Sequence, residues 1–251
     1  MKKKMFVVSD IHGCASLLKL SLKSAGFEIA NNDHLLVCLG DCFDRGYENI
    51  AVYEYLKSIP NKILVKGNHE DLIEMVIHDH TITDIDLHNG TDITIREFFG
   101  ENRVKRDGKI LKTKKAENTI LEFTGGMRDY FETESYVFVH GWIPVKELYD
   151  MGERSFFRYT FNPDWRNAGE QEWRDARFLP WYEMYRRKLK CSGKTIVCGH
   201  SPVLVASYFD EKRDMNDTTP YYGDGFIAID ACSYRTGKLN VLILEDEISE
   251  E

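Results

Sequence analysis

Five short motifs of residues able to bind metal ions or transfer protons occur in order along the chain. They are Asp10-x-His12, Gly40-Asp41-x-x-Asp44-Arg45, Gly67-Asn68-His69-Glu70, His140-Gly141 and Gly199-His200. An Asp-x-His pair alone arises by chance in about one chain in three of this length, whereas the second and third motifs are each expected in about one chain in several hundred. Their occurrence together, in this order, indicates one shared site.

These residue types offer carboxylate, imidazole and amide groups, which hard and borderline divalent cations prefer as ligands. Two such cations about 3.5–4 Å apart need a shared ligand, and a carboxylate at the end of a strand can bridge them. The cation pair lowers the pKa of a bound water, supplies hydroxide near neutral pH and holds phosphate oxygens. The motifs therefore predict a dinuclear site that hydrolyses a phosphate ester.

Each motif follows a short apolar run that is typical of a β-strand. These runs are Met5–Ser9, Leu35–Leu39, Ile63–Val65, Tyr136–Val139 and Thr195–Cys198. Helical spacing follows over Ser16–Ala25, and Pro60 ends a second predicted helix. Ligands of open α/β sheets bind at the carboxyl ends of the strands, where all five motifs are placed. Near the end of the chain, Phe226–Ile229 and Leu239–Leu244 are expected to form a closing antiparallel hairpin.

Two segments interrupt this alternation of strands and helices. Residues from about 81 to 133 are polar and include a basic stretch from Arg103 to Lys115. Residues from about 145 to 193 are rich in aromatic side chains and arginine. We interpret both as insertions that cap the cleft of a single domain spanning residues 1–251, a length that one core can support.

Composition narrows the class of protein. The 251 residues are 43% hydrophobic and 29% charged, which is ordinary for a soluble globular protein. A net charge of −8 argues against nucleic-acid binding and against attachment to an anionic membrane surface. We expect no export signal and no membrane span, because the apolar run near the start is too short. The six cysteines show no Cys-x-x-Cys pair, which is typical of free thiols in the cytoplasm. The oligomeric state has no signal in the sequence.

The five motifs resemble those of the calcineurin-like metallophosphoesterase superfamily, most closely the serine/threonine phosphoprotein phosphatases of bacteria and phages. The resemblance implies an α/β fold in which two packed mixed β-sheets are flanked by helices in four layers. It also implies hydrolysis of a phosphate monoester, in a phosphoprotein or a nucleotide, by a hydroxide that bridges two metal ions. Manganese is the expected metal, and iron and zinc are also compatible with this ligand set.

The same resemblance assigns the metal ligands. The first ion would be bound by Asp10 and His12, and Asp41 would bridge both ions. The second ion would be bound by the side chains of Asn68, His140 and His200.

The resemblance also assigns the residues that act on the substrate. His69 would be the general acid that protonates the leaving oxygen, with Asp44 orienting its ring, and Arg45 would hold the phosphate. A second phosphate-binding arginine is expected between the last two histidine motifs. Arg177 fits that position, and Arg174 is the alternative.

Two other functions remain open at this stage. Symmetrical diadenosine tetraphosphate hydrolases resemble the chain, although they usually lack an aspartate at the position of Asp44. The aromatic segment is compatible with such a dinucleoside polyphosphate substrate. The other alternative is a binding scaffold that has lost catalysis, and the intact set of predicted ligands argues against it.

Overall fold

A computed structural model describes residues 2–150, 156–191 and 193–248 of the chain. Its strands are β1 (Lys2–Val8), β2 (His34–Cys38), β3 (Lys62–Leu64), β4 (Phe131–Glu132), β5 (Tyr136–Phe138), β6 (Val145–Asp150), β7 (Phe156–Phe161), β8 (Thr195–Cys198), β9 (Tyr221–Gly223), β10 (Phe226–Ala228) and β11 (Leu242–Glu247). Its α-helices are α1 (Ala15–Ser24), α2 (Asn49–Ser58), α3 (Asn68–Asp79), α4 (Asp84–Asn89), α5 (Thr91–Phe99), α6 (Lys114–Gly125), α7 (Glu170–Arg177), α8 (Trp181–Arg186) and α9 (Ser233–Thr236). The strands predicted before the five motifs are all present.

Two mixed sheets form the centre of the fold. The first has the strand order β11-β1-β2-β3, with β1, β2 and β3 parallel and β11 antiparallel to β1. The second has the order β4-β5-β8-β10-β9, with β5, β8 and β10 parallel and an antiparallel strand at each edge. This arrangement confirms the α/β fold with two mixed sheets.

The side chains of β1 alternate between two buried layers, as the period-two geometry of a strand requires. Phe6 and Val8 pack with residues of α1, α2, α3, α5 and α6 on one face of the first sheet. Met5 and Val7 lie in the core between the sheets, together with Phe138 and Val197 of the second sheet. A third cluster covers the outer face of the second sheet and includes Trp173 and Trp181 from α7 and α8. Both sheets are therefore covered by helices.

The predicted closing hairpin is wrong. β10 pairs with β8 and β9 in the second sheet, whereas β11 pairs with β1 in the first. The hairpin partner of β10 is β9, which precedes it. Between β10 and β11 the chain turns through α9 and crosses from one sheet to the other. Both strands bury apolar residues in the core between the sheets, so their pattern suits either arrangement.

Both predicted insertion segments contain secondary structure of their own. The first contains α4, α5 and α6, and the second contains β6, β7, α7 and α8, with residues 151–155 outside the described part. In the described part of the chain, no helix combines the length and apolar character needed to cross a membrane.

Candidate dinuclear metal site

The five motifs meet at one edge of the two sheets. Asp10 and His12 follow β1, Asp41 follows β2, and Asn68 begins α3 directly after β3. His140 and His200 follow β5 and β8 of the second sheet. Because neighbouring parallel strands end on the same side, these side chains converge although up to 190 residues separate them in sequence.

The backbone at this edge is sharply turned. Six of the predicted site residues have φ between 46° and 72°, a region that side chains other than glycine rarely adopt: Asp10, His12, Asp41, Asp44, Arg45 and His200. Such conformations cost about 1–3 kcal/mol each and concentrate at functional sites. The loops also approach closely, since a Cβ atom on Gly40 would lie 2.4 Å from the backbone nitrogen of Gly67.

Asp41 lies between two groups of possible ligands. Its Oδ2 atom is 3.7 Å from Nε2 of His12, which is in turn 4.0 Å from Oδ1 of Asp10. Its Oδ1 atom is 3.3 Å from Nε2 of His140. The two oxygens of this one carboxylate thus face different groups, an arrangement that allows it to bridge two cations.

The second group is completed by Asn68. Its Oδ1 atom lies 2.9 Å from Nε2 of His140 and 2.9 Å from Nδ1 of His200. The backbone N–H of His200 donates to Oδ2 of Asp10 at 3.0 Å, which joins this group to the first. An amide oxygen, a carboxylate oxygen and two imidazole nitrogens therefore point at one small volume.

Two of the predicted ligand histidines are oriented by backbone carbonyls. Nδ1–H of His12 donates to the carbonyl of Phe43 at 3.0 Å, and Nδ1–H of His140 donates to that of Leu39 at 2.6 Å. Both Nε2 atoms are thereby directed into the site. Contacts of this kind hold the rings of metal-ligating histidines and raise their basicity as ligands.

The electrostatics of the site fit a pair of cations. Burial lowers the pKa of His12 to about 3 and that of His200 to about 4, so both rings are neutral and have free lone pairs. Burial also lowers the pKa of His140, but the Asp41 carboxylate outweighs it and raises the net value to about 10, so this ring has to release its proton to bind a cation. Burial and the nearby Asp41 carboxylate raise the pKa of Asp10 to about 6. Carboxylates this close together are stable when cations offset their charge.

His69 contacts both a carboxylate and an arginine. Its Nδ1 atom is 2.7 Å from Oδ2 of Asp44, and its Nε2 atom faces the cleft, 3.9 Å from Oδ2 of Asp41. The Nη2 atom of Arg45 is 3.4 Å from the same Nε2 atom. Burial lowers the pKa of His69, and the two carboxylates more than offset burial, so the net pKa is raised. A protonated His69 with its Nε2 atom facing the cleft is therefore favoured.

The cleft above these residues has a volume of about 310 Å³. Its polar lining includes the side chains of His12, Asp41, Arg45, Asn68, His69 and His200. It is also lined by Leu72, Ile85, Asn89 and Phe178. Among the described residues that line the cleft, Arg45 is the one with a permanent positive charge.

Neither candidate for the second phosphate-binding arginine lines the cleft. Arg177 is buried, and its guanidinium donates to Asp71 at 2.6 Å and also to Asp129. Arg174 lies at a separate groove beside His78 and Glu117. The structure therefore places Arg177 in a buried ion pair with Asp71, whereas Phe178, the next residue, lines the cleft.

Four residues without an assigned role also support the site. Glu70 accepts N–H groups from Asp41, Cys42 and Gly67 at 2.8–2.9 Å, which ties together the loops after β2 and β3. Tyr234 accepts a hydrogen bond of 3.1 Å from Arg45, whose guanidinium lies 4.8 Å from the centre of its ring. The other two, Thr91 and Thr94, donate to Asp44. Only Glu70 had a signal in the sequence, since it belongs to the third motif.

With this geometry, the chain can be compared with known families. The family described as calcineurin-like phosphoesterase has a model that matches residues 3–230. The chain belongs to the calcineurin-like phosphoesterase family. The match contains all ten predicted site residues and both sheets except for β11.

Individual relatives match a shorter stretch. Serine/threonine-protein phosphatase 2 of Salmonella typhimurium is 43% identical over 68 residues, which cover 27% of this chain and 30% of that protein. The symmetrical bis(5'-nucleosyl)-tetraphosphatase of Buchnera aphidicola (strain Sg) is 36% identical over 67 residues, or 26% of this chain and 24% of that protein. The aligned stretch thus spans less than a third of these curated relatives.

Similarity in structure extends further than similarity in sequence. The cold-active protein-tyrosine phosphatase of a psychrophilic Shewanella species aligns with a TM-score of 0.53 and 16% identity, covering 96% of this chain and 75% of that one. At this level of identity the comparison shows a shared fold.

Proposed function

We propose that the protein is a metal-dependent phosphomonoesterase, similar in activity to serine/threonine protein phosphatases. The observation that carries the proposal is the position of Asp41, whose two carboxylate oxygens face two separate ligand groups. Asp10 and His12 would hold one cation, and Asn68, His140 and His200 would hold the other, with Asp41 shared. Bound there, two divalent cations would lower the pKa of water and neutralise phosphate oxygens.

The chain's own residues would perform the remaining steps. Arg45 would hold the phosphate through its guanidinium, which Tyr234 keeps at the mouth of the cleft. His69 would donate the proton at its Nε2 atom to the leaving oxygen. Asp44 would hold the ring through its Nδ1 atom, so that Nε2 stays directed at the substrate. In this assignment Arg177 supports the cleft wall through its ion pair with Asp71.

Hydrolysis of dinucleoside polyphosphates is the second candidate, and four of the relatives have this activity in their names. A tetraphosphate chain carries several negative charges that need cationic side chains beyond the metal site. Among the described residues lining the cleft, Arg45 is the one such side chain, and the lining also includes the apolar Leu72, Ile85 and Phe178. This lining favours a single phosphoryl group next to a largely apolar leaving group.

Manganese is the proposed metal, with iron and zinc as alternatives. The ligand set mixes imidazole nitrogen with carboxylate and amide oxygen, which suits these ions better than magnesium, an ion that retains water and prefers oxygen. A cytoplasmic location is proposed because all six cysteines are free thiols, five of them buried.

A substrate panel with controlled metal content tests the proposal. Protein treated with chelator would be reconstituted with manganese, magnesium, zinc or iron. Each sample would be assayed on p-nitrophenyl phosphate, a phosphoserine peptide, a nucleoside monophosphate and diadenosine tetraphosphate. We expect chelation to abolish turnover and manganese to restore it better than magnesium, with monoesters preferred. Full activity in protein shown by elemental analysis to lack metal would overturn the dinuclear site. Faster hydrolysis of diadenosine tetraphosphate than of every monoester would favour the second candidate.

A further inference from the structure

The carboxylate of Asp44, which contacts His69, also accepts hydrogen bonds from two threonine hydroxyls. Thr91 Oγ1 donates to Oδ2 at 2.7 Å, and Thr94 Oγ1 donates to Oδ1 at 2.6 Å. All three residues are completely buried. Oδ2 therefore accepts hydrogen bonds from both Thr91 and His69, while Oδ1 accepts from Thr94.

The backbone of Asp44 is held by side chains of two helices, α5 and α2. Its N–H group is 3.0 Å from Oγ1 of Thr94 and 2.9 Å from Oδ1 of Asn49. Gly90, which precedes α5, has φ of 76°, and a Cβ atom there would lie 2.5 Å from the backbone nitrogen of Arg45. The first turn of α5 thus packs directly against Asp44 and Arg45.

These contacts join the first insertion segment to the catalytic residues. Thr91 and Thr94 belong to α5, within residues 81–133, and are 47 and 50 residues from Asp44 in sequence. Their spacing of three residues places both hydroxyls on the same face of the helix. A buried carboxylate loses much of its stabilisation when its donors are removed, so this pair of hydroxyls determines how Asp44 is oriented.

We propose that Thr91 and Thr94 are positioning residues for proton donation by His69. They hold the Asp44 carboxylate in one orientation, and Asp44 in turn holds the imidazole so that its Nε2 atom faces the leaving oxygen. This inference rests on the proposed phosphomonoesterase function and adds that α5 belongs to the acid–base apparatus. General acid catalysis depends on such geometry, because the donor must lie within hydrogen-bond reach of the departing oxygen.

A set of isosteric and conservative variants distinguishes positioning from packing. Thr91→Val and Thr94→Val keep the volume and remove the hydroxyl, whereas Thr91→Ser and Thr94→Ser keep the hydroxyl and remove a methyl group. Thr119→Val in α6 is the control for loss of a threonine hydroxyl away from the cleft, because that hydroxyl donates to the carbonyl of Lys115 in its own helix, at 2.8 Å. Each variant is reconstituted with manganese, and its metal content is measured.

The measurement is kcat and KM for p-nitrophenyl phosphate and for phosphoserine in the same sample. Nitrophenolate departs without a proton, whereas the serine alkoxide requires one. For leaving groups that need a proton, removal of the general acid lowers the rate about 10²–10⁴-fold. In the Val variants His69 is present but misaligned, so we expect kcat for phosphoserine to fall about tenfold or more. The loss on p-nitrophenyl phosphate should stay within about threefold, and KM should change little. The Ser variants and Thr119→Val should match the wild type.

The ratio of the two kcat values does not depend on the fraction of folded protein, so partial misfolding leaves it interpretable. Equal losses on both substrates in the Val variants would overturn the positioning role. So would Ser variants with the same ratio as the Val variants, because a packing role predicts that the lost methyl group matters. If the Val variants do not accumulate in folded form, Thr91→Ala and Thr94→Ala remove the same hydroxyls, and their ratio of kcat values is compared with that of the Ser variants. Wild-type protein that hydrolyses neither monoester would instead refute the proposed function.

Discussion

The Nδ1 atom of His69 lies 2.7 Å from Oδ2 of Asp44, and both side chains are almost completely buried. This contact leaves Nε2 of His69 directed into the cleft beside Arg45. A histidine in this position can act as an acid, or it can be a further metal ligand, since it also lies near His12 and Asp41. The first prediction distinguishes these two roles.

Replacement of His69 by asparagine is expected to leave both metal sites filled. The rate for phosphoserine should fall by about 10²–10⁴-fold, and the rate for p-nitrophenyl phosphate should fall much less, because its leaving group needs no proton. Elemental analysis and kcat on both substrates provide the measurement. His78→Asn is the control, since His78 is an exposed residue of the same helix. A His69→Asn protein that no longer binds metal would show that His69 is a ligand.

Asp41 and Asp10 should differ in how many cations depend on them. We expect Asp41→Asn to lower metal content at both sites, because its two oxygens face both ligand groups, whereas Asp10→Asn should mainly empty one. Metal content per chain after dialysis is the measurement, and Asp33→Asn at an exposed position is the control. Two ions still bound in the Asp41→Asn protein would refute the bridging role.

Substitution of Arg45 should mainly affect catalysis, whereas substitution of Arg177 should mainly affect stability. Arg45→Gln should lower kcat/KM by about 10–100-fold through loss of a charged hydrogen bond to phosphate, with little change in stability. Arg177→Gln should lower the free energy of unfolding by about 3 kcal/mol, because it leaves Asp71 buried with Lys66, 3.3 Å away, as its remaining partner.

Urea unfolding and steady-state kinetics on both proteins test this contrast. An additional Asp71→Asn substitution should restore part of the stability lost in Arg177→Gln, since the unpaired carboxylate is then removed. A stable Arg177→Gln protein with a large loss in kcat/KM would instead support Arg177 as the second phosphate-binding arginine.

The ion pair of Glu132 should make part of the stability dependent on pH. Hydrogen bonds from Arg166, of 2.8 and 2.5 Å, together with Lys194 at 2.8 Å, lower the pKa of Glu132 from 4.5 to about 2. Because the pKa of Glu132 is lower in the folded state, its ion pair contributes fully to the free energy of unfolding above pH 4.5. This contribution is lost as the pH falls toward 2.

Glu132→Gln should therefore lower the free energy of unfolding at pH 7 by about 1 kcal/mol, a value reduced because solvent screens the partly exposed pair. The difference from the wild type should shrink as the pH is lowered below 4.5. Glu134→Gln, at a neighbouring exposed position, is the control. A difference that stays constant from pH 7 to pH 3 would contradict this account.

The sequence alone was sufficient to predict the α/β fold and the strands that precede each motif. The reason is local: an apolar run followed by Asp, Asn or His is visible within about ten residues, and parallel strands bring such ends together. Asp10, His12, Asp41, Asn68, His140 and His200 lie together at that edge of the sheets, as these rules lead one to expect. Their roles as metal ligands stay a prediction.

Only the tertiary structure decided the contacts between side chains that are distant in sequence. It placed β10 and β11 in different sheets, although each alone suits a hairpin. It paired Arg177 with Asp71, 106 residues away, and brought Thr91 and Thr94 from an insertion to Asp44. Such partners leave no periodic pattern in the chain, because a hydrogen bond depends on where two surfaces meet after packing. Local patterns therefore determined the elements and the motifs, and packing determined which residues support them.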